Sequence, residues 1–205
     1  MTKTIFVAGA TGAVGQPLCR LLVADGFTVV GMTRSPEKAS VLASMGVTPV
    51  VVDVYDAGAL TAAVVASGAD VVIHQLTDLP LALDPAQMPA ALIRNARIRD
   101  EGTRNLMHAA KVAGVKRVVA QSIAFSVTEA LVAFERQVLD APLDGIVLRY
   151  GKFYGAGTGF DGPVGPPPHL HVDRAADAAR RAVTEFRPGL YVITDTEETY
   201  ASSDS

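Results

Sequence analysis

The chain has 205 residues, 49% hydrophobic and 19% charged, which excludes intrinsic disorder and supplies enough apolar surface for one well-cored domain over 1–205. Its 18 basic residues are scattered among 21 acidic ones for a net charge of −3, so no nucleic-acid partner is expected. Mean hydropathy is +0.29, but the apolar residues are dispersed and nowhere approach the roughly 18 consecutive positions of a membrane-spanning helix.

Residues 4–8 read as a first strand and 13–24 as a helix with Val14, Leu18, Leu21 and Leu22 on one face. Cys19, the single cysteine, excludes a disulfide framework and is read as a small buried apolar residue. Lys3 and the apolar residues after it resemble a short signal peptide, but Gly9, Gly12 and Gly15 interrupt the pattern, and a cytoplasmic protein is expected. A second strand is expected at 27–32, and Ser35 and Pro36 open the next helix as N-cap and first helical residue. A third strand at 48–54, a helix at 57–66 and a fourth strand at 70–74 follow. Beyond a loop with Pro80, Pro85 and Pro89 come a long helix at 90–112, a strand at 115–120, a helix at 128–139 and a strand at 145–149. A helix at 175–184, with Asp173 as its N-cap, and a last strand at 189–193 complete the series. The stretch 162–168 reads as a stiff Gly/Pro loop and 199–205 as a polar, frayed tail. Val/Ile-rich strands alternating with helices require a parallel sheet buried on both faces, so the fold class is α/β, a doubly wound Rossmann-type sheet.

The segment Gly9-Ala-Thr-Gly-Ala-Val-Gly15 lies between the first strand and the first helix. Glycines there permit a tight turn, close approach of backbone to a pyrophosphate, and close packing of helix on strand, while the helix N-terminus supplies unpaired N–H groups and a positive dipole end. Together with Val51-Val-Asp53-Val54, Gly102-Thr-Arg-Asn-Leu106, Gln121-Ser122, Leu148-Arg149 before Tyr154-Gly155, and His171-Val-Asp173 before Ala175-Ala176, it resembles the short-chain dehydrogenase/reductase superfamily in its extended, epimerase/dehydratase-like branch. The resemblance spans essentially the whole chain. It implies a nicotinamide cofactor held by Gly9, Thr11, Gly12, Ala13, Val14, Gly15, Asp53, Val54, Leu76 and Thr77. At the end of the second strand stand Arg34 and, a turn later, Lys38, where NAD sites usually carry a carboxylate. A guanidinium suits a ribose 2′-phosphate, so NADP is favoured over NAD.

The same resemblance implies a Ser or Thr at position 122 and a Tyr with a Lys four residues later. Ser122 is present, but no Tyr-x-x-x-Lys occurs. Counting back from Glu135, which fits the family's glutamate after the lysine, puts Val127 and Leu131 where the pair belongs. A deletion between Ser122 and Glu135 is the other account of the gap. Ser122, Tyr150 and Tyr154 are therefore the catalytic candidates. His169-x-His171 has the look of a metal pair without further ligands, so no metal is expected, and His74 and His108 read as structural.

Two functions stay open: an NADP-dependent oxidoreductase or epimerase acting on a small molecule, and a non-catalytic NADP(H)-sensing regulator of the same fold. A remnant left by deletion is a third account. The C-terminal part is short, so a reduced substrate-binding region is expected. Leu131, Phe134 and Val138 form an apolar helix face that suggests a homodimer.

Overall fold

The computed structural model describes residues 2–201. The chain runs β1 (Thr4–Ala8), α1 (Gly15–Ala24), β2 (Thr28–Thr33), α2 (Pro36–Ser44), β3 (Thr48–Val51), α3 (Ala57–Ser67) and β4 (Val71–His74). It continues with α4 (Met88–Arg97), α5 (Thr103–Val112), β5 (Arg117–Ile123), α6 (Glu129–Leu139), β6 (Asp144–Tyr150) and β7 (Lys152–Tyr154). Last come β8 (His169–His171), α7 (Val172–Ala182), β9 (Gly189–Ile193) and β10 (Glu198–Ala201).

The main sheet has eight strands in the order β10-β9-β6-β5-β4-β1-β2-β3, all parallel except β10, which pairs antiparallel with β9. The order reverses at β1, between β4 and β2, which is the doubly wound topology expected from the sequence. Alternation along β1 shows how both faces fill. Ile5 and Val7 enter the core under α1 and α7, while Phe6 and Ala8 enter the core under α3, α5 and α6. On α7, Ala175, Ala176, Ala178, Ala179 and Ala182 are all fully buried, and these small side chains let it lie close against α1. Cys19 is buried, and desolvation pushes its thiol up to about 12.

Several expectations need correction. The helix expected over 90–112 is broken by a π-helical turn, Ile98–Gly102, joining α4 to α5. Part of the expected frayed tail is β10, held on β9 from Glu198 to Ala201; positions 202–205 lie outside the described residues. β7 and β8 form a separate two-stranded parallel sheet that local pattern did not signal. Ser35 occupies the N-cap position of α2, but its hydroxyl donates to the Glu37 carboxylate instead of capping backbone. His171, not Asp173, caps α7: its Nδ1 accepts from the Asp173 N–H. Leu131, Phe134 and Val138 are buried against their own sheet, which removes the apolar face on which the dimer expectation rested. No helix among the described residues is long and apolar enough to cross a membrane.

Candidate functional site

A cleft of about 1020 Å³ opens along the carboxyl ends of the parallel strands, at the point where strand order reverses. The glycine loop forms its floor. Gly9 has φ +90°, and a Cβ there would sit 2.7 Å from the Gln75 carbonyl. A Cβ on Gly15 would come within 2.1 Å of the Gly9 carbonyl oxygen, so only glycine lets α1 start this close to β1. Of the sequence-expected cofactor residues, Gly9, Thr11, Gly12, Ala13, Arg34, Lys38, Leu76 and Thr77 line the cleft. Val14 and Gly15 are buried at the start of α1. Asp53 and Val54 lie off the cleft: the Asp53 carboxylate accepts from the Tyr55 N–H, and the buried Val54 offers its carbonyl to the Asn105 amide at 3.0 Å.

That last bond explains part of the Gly102-Thr-Arg-Asn-Leu106 motif. Asn105 ties α5 to the turn after β3, and Gly102 lets Val54 pack at 3.3 Å from where a Cβ would stand. Thr103 donates to the Ile98 carbonyl across the π-helical turn and meets His74 Nε2 at 2.9 Å. His74 Nδ1 accepts from the Leu76 N–H at 3.2 Å. The buried ring thus donates through Nε2 and accepts through Nδ1, and it holds the cleft wall at Leu76. Burial, with Arg99 second, pushes its pKa down to about 4, so the ring is neutral. Further along, the Asp78 N–H is held by the Asn95 side-chain oxygen. Gln75 is the exception in this well-bonded stretch: it lines the cleft, is only 5% exposed, and neither atom of its amide has a hydrogen-bond partner.

The three catalytic candidates are not brought together. Ser122 is fully buried and donates to Glu135 Oε1 at 2.6 Å. Both oxygens of that carboxylate also take the Arg149 guanidinium, at 2.8 and 2.6 Å, so Ser122, Glu135 and Arg149 form a satisfied ionic network between β5, α6 and β6. The Tyr150 hydroxyl is also fully buried and donates to the Ala175 carbonyl; burial raises its pKa. Tyr154 packs edge-on to His171, and bonding to Asp195 raises its pKa, the opposite of what proton transfer at neutral pH requires. No tyrosine lines the cleft among the described residues. Val127 is 52% exposed before α6, whereas Leu131 is 1% exposed under the sheet, so these positions do not converge as an acid/base pair would. The two histidines of the 169–171 pair also serve the fold, His169 Nε2 meeting the Val164 carbonyl and His171 capping α7.

At the β2 end of the cleft, the strand finishes with Thr33, and Arg34 projects with its guanidinium half exposed, 3.8 Å from Asp78. Asp78 is paired more closely with Arg94, at 3.2 Å. Across the mouth, the Ala82 N–H donates to the Thr158 carbonyl, joining the loop after β4 to the loop after β7. Ala82 and Leu83 both have positive φ, 54° and 50°, a conformation uncommon outside glycine. Sequence reasoning missed this strap, Gln75, and Arg99, which also lines the cleft. Arg99 was legible in one respect: it stands four residues after the buried Asn95 and four before the buried Thr103, in phase with the core-facing stripe.

Comparison with known proteins supplies the family and the fold. The model of a family described as NAD(P)H-binding matches residues 9–144. A Streptomyces 3-diazoavenalumate denitrifying reductase is 35% identical over 237 aligned residues, covering 94% of this chain and 76% of the relative. That span exceeds the 205 residues of this chain, so the relative carries residues inside the match that this chain lacks. A Dictyostelium discoideum sterol-4-alpha-carboxylate 3-dehydrogenase, decarboxylating, is 36% identical over 72 residues, 35% of this chain and 21% of that protein. Among solved structures, the Bordetella bronchiseptica enzyme WbmH in complex with NAD+ superimposes with a TM-score of 0.73 at 19% identity, over 98% of this chain and 77% of that one. The UDP-glucose 4-epimerase of Thermotoga maritima, solved with UDP-glucose, gives 0.73 at 16% identity, over 96% and 78%. These structural likenesses show the fold.

Proposed function

Since this chain belongs to the NAD(P)H-binding family and carries the short-chain dehydrogenase/reductase fold, we propose that it is an NADP(H)-dependent reductase of a small electrophile that takes no proton from the protein. A diazo acid, the kind of compound named for its Streptomyces relative, is the acceptor class that fits best. When bound, the reduced nicotinamide supplies a hydride, which on an arenediazonium carbon replaces dinitrogen (Ar–N₂⁺ plus hydride gives Ar–H and N₂).

The residues present fit the cofactor. Gly9, Thr11, Gly12 and Ala13 would hold the pyrophosphate against the N-terminus of α1. A Cβ at Gly9 or Gly15 would collapse that cradle onto backbone. Arg34 and Lys38 would take the 2′-phosphate, since no carboxylate stands at the end of β2 to accept from a ribose hydroxyl. Leu76 and Thr77 would form the wall, and the orphaned Gln75 amide offers a donor and an acceptor inside the cleft.

One observation carries the choice of acceptor: a complete glycine cradle beside a cleft without a tyrosine, with Ser122 and Tyr150 both committed to the core. Carbonyl reduction ordinarily draws on general acid catalysis worth 10²–10⁴-fold. Replacement of dinitrogen by hydride needs no such group. The same withdrawal of Ser122 and Tyr150 is what favours the second reading, an NADP(H)-sensing regulator without turnover.

The test is NADPH oxidation, monitored with the full chain, a benzenediazonium salt and a panel of aldehydes and ketones, using NADPH deuterated at C4. Chain-dependent oxidation with deuterium on the arene carbon is expected, with slow or no turnover of the carbonyls. NADP binding without turnover of any acceptor would establish the regulator reading, and carbonyl turnover alone would show that an acid is present after all.

A further inference from the structure

Arg99 sits in the π-helical turn between α4 and α5 and lines the cleft, with its side chain partly buried. Among the described residues its guanidinium has no hydrogen-bond or ion-pair partner. The arginines around it differ: Arg94 is on Asp78, Arg97 on Glu101 and Arg104 on Asp100. A π-helical turn widens the backbone and re-aims the residues it carries, and such turns recur at functional sites.

The surroundings leave that charge uncompensated. Burial is the larger influence on Arg99 and lowers its pKa, while the charge of Glu135 works against it. Glu135, however, already receives both N–H edges of Arg149 and the Ser122 hydroxyl. His74, on which the Arg99 charge acts, is neutral and has both ring nitrogens engaged. The Glu135 carboxylate is thus bonded to Arg149 and not to Arg99, and a partly buried positive charge faces the cleft. A charge so placed calls for an anion, and the planar fork matches a carboxylate in bidentate fashion.

The same cleft is also lined by Leu81, Leu83, Phe125 and Val164, all at least 42% exposed. Apolar side chains at that exposure in one cleft favour an apolar body rather than a sugar or a second phosphate. We propose that Arg99 is the anchor for the carboxylate of a small amphipathic acid, whose apolar body lies against Phe125, Leu81 and Val164. This assignment deepens the reductase reading and rests on it for the identity of the cleft. It makes Arg99 a specificity-determining residue and predicts that substrates are organic acids, not their neutral counterparts.

Calorimetric titration of the full chain, with and without NADP+, uses cinnamate and its methyl ester as probes. The acid is expected to bind about tenfold more tightly than the ester, the scale of a charge-assisted hydrogen bond. Arg99→Gln should abolish that preference while leaving NADP+ affinity and thermal unfolding unchanged, and Arg99→Lys should restore part of it. Equal binding of acid and ester by the unsubstituted chain, binding of neither, or a preference that survives Arg99→Gln would overturn the proposal. Loss of NADP+ binding in Arg99→Gln would do so too, by assigning the residue to the cofactor. Because NADP+ binding is measured in the same samples, failure of the nucleotide reading is seen separately from failure of the acid preference.

Discussion

The two ends of the cleft are built on opposite principles. At the β1–β2 end, the proposed cofactor cradle is made of backbone: it exists because Gly9 and Gly15 let chain segments approach where a Cβ would collide. At the β5–β6 end, function would be carried by side chains, and there Ser122, Glu135, Arg149 and Tyr150 have been drawn into internal bonds. A backbone site survives drift of neighbouring side chains. A side-chain site is lost as soon as its members find partners in the core.

The largest expected effect tests whether the second end can be rebuilt. Introducing Val127→Tyr with Leu131→Lys restores the residue types that the family resemblance implies, but Leu131 is 1% exposed beneath the sheet. Removing its packing and burying an ammonium should cost about 5 kcal/mol, read as loss of the cooperative urea transition. Carbonyl reduction is not expected to rise. A stable double variant with faster carbonyl turnover would mean that α6 holds the family's acid/base geometry after all.

The first end is tested by Gly15→Ala. The added carbon would lie 2.1 Å from the Gly9 oxygen, a backbone atom that no rotamer change can move, so α1 must shift off β1. Overpacking of this kind costs about 3 kcal/mol, and NADP binding should fall more than stability alone explains. A variant that binds NADP normally would show that the cradle is not the phosphate site.

This contrast also accounts for what could be read from sequence. The α/β class, the doubly wound sheet and the cleft-lining glycines follow from periodicity and glycine spacing, which are local. The destinations of Ser122 and Tyr150 depend on which distant groups meet them, Glu135 from α6 and the Ala175 carbonyl from α7. The motive for a dimer fell likewise, because an amphipathic stripe does not say whether its apolar side meets its own sheet or another subunit, and Leu131, Phe134 and Val138 meet their own sheet. β7 and β8, three residues each, are too short for a period to register. His171 displaced Asp173 as the cap because its ring nitrogen, an unusual capping group, reached the backbone first.

Between the two ends, His74 links the wall at Leu76 to Thr103, and its titration should be visible. Protonating Nδ1 would set a donor against the Leu76 N–H. The folded pKa lies near 4 against 6.5 for an exposed histidine, so the unfolded chain binds more protons between those values. Stability is therefore full above about pH 6.5 and lost as pH falls, by about 2 kcal/mol at pH 5 and about 3 kcal/mol below pH 4. Urea titrations at successive pH values check the slope, and His74→Gln should flatten it. An unchanged slope in that variant would place the acid sensitivity elsewhere.

The smallest expected effect sharpens the nucleotide end. Arg34 is half exposed and 3.8 Å from Asp78, a carboxylate already held by Arg94 at 3.2 Å, so the contact restrains it only weakly. Its guanidinium can turn to a 2′-phosphate at little cost, and Lys38 adds a second charge on the same rim. Arg34→Ala should therefore narrow the preference for NADP over NAD by about 1.5 kcal/mol, the scale of one charge-assisted hydrogen bond. Affinity for NAD should stay nearly constant. Asp78→Asn should move the preference slightly the other way, by loosening Arg34 from its weak partner. The preference should also shrink as ionic strength rises, since the charges involved are exposed. Equal affinity of the unsubstituted chain for NADP and NAD would remove Arg34 from the site and leave the cradle indifferent to the ribose phosphate.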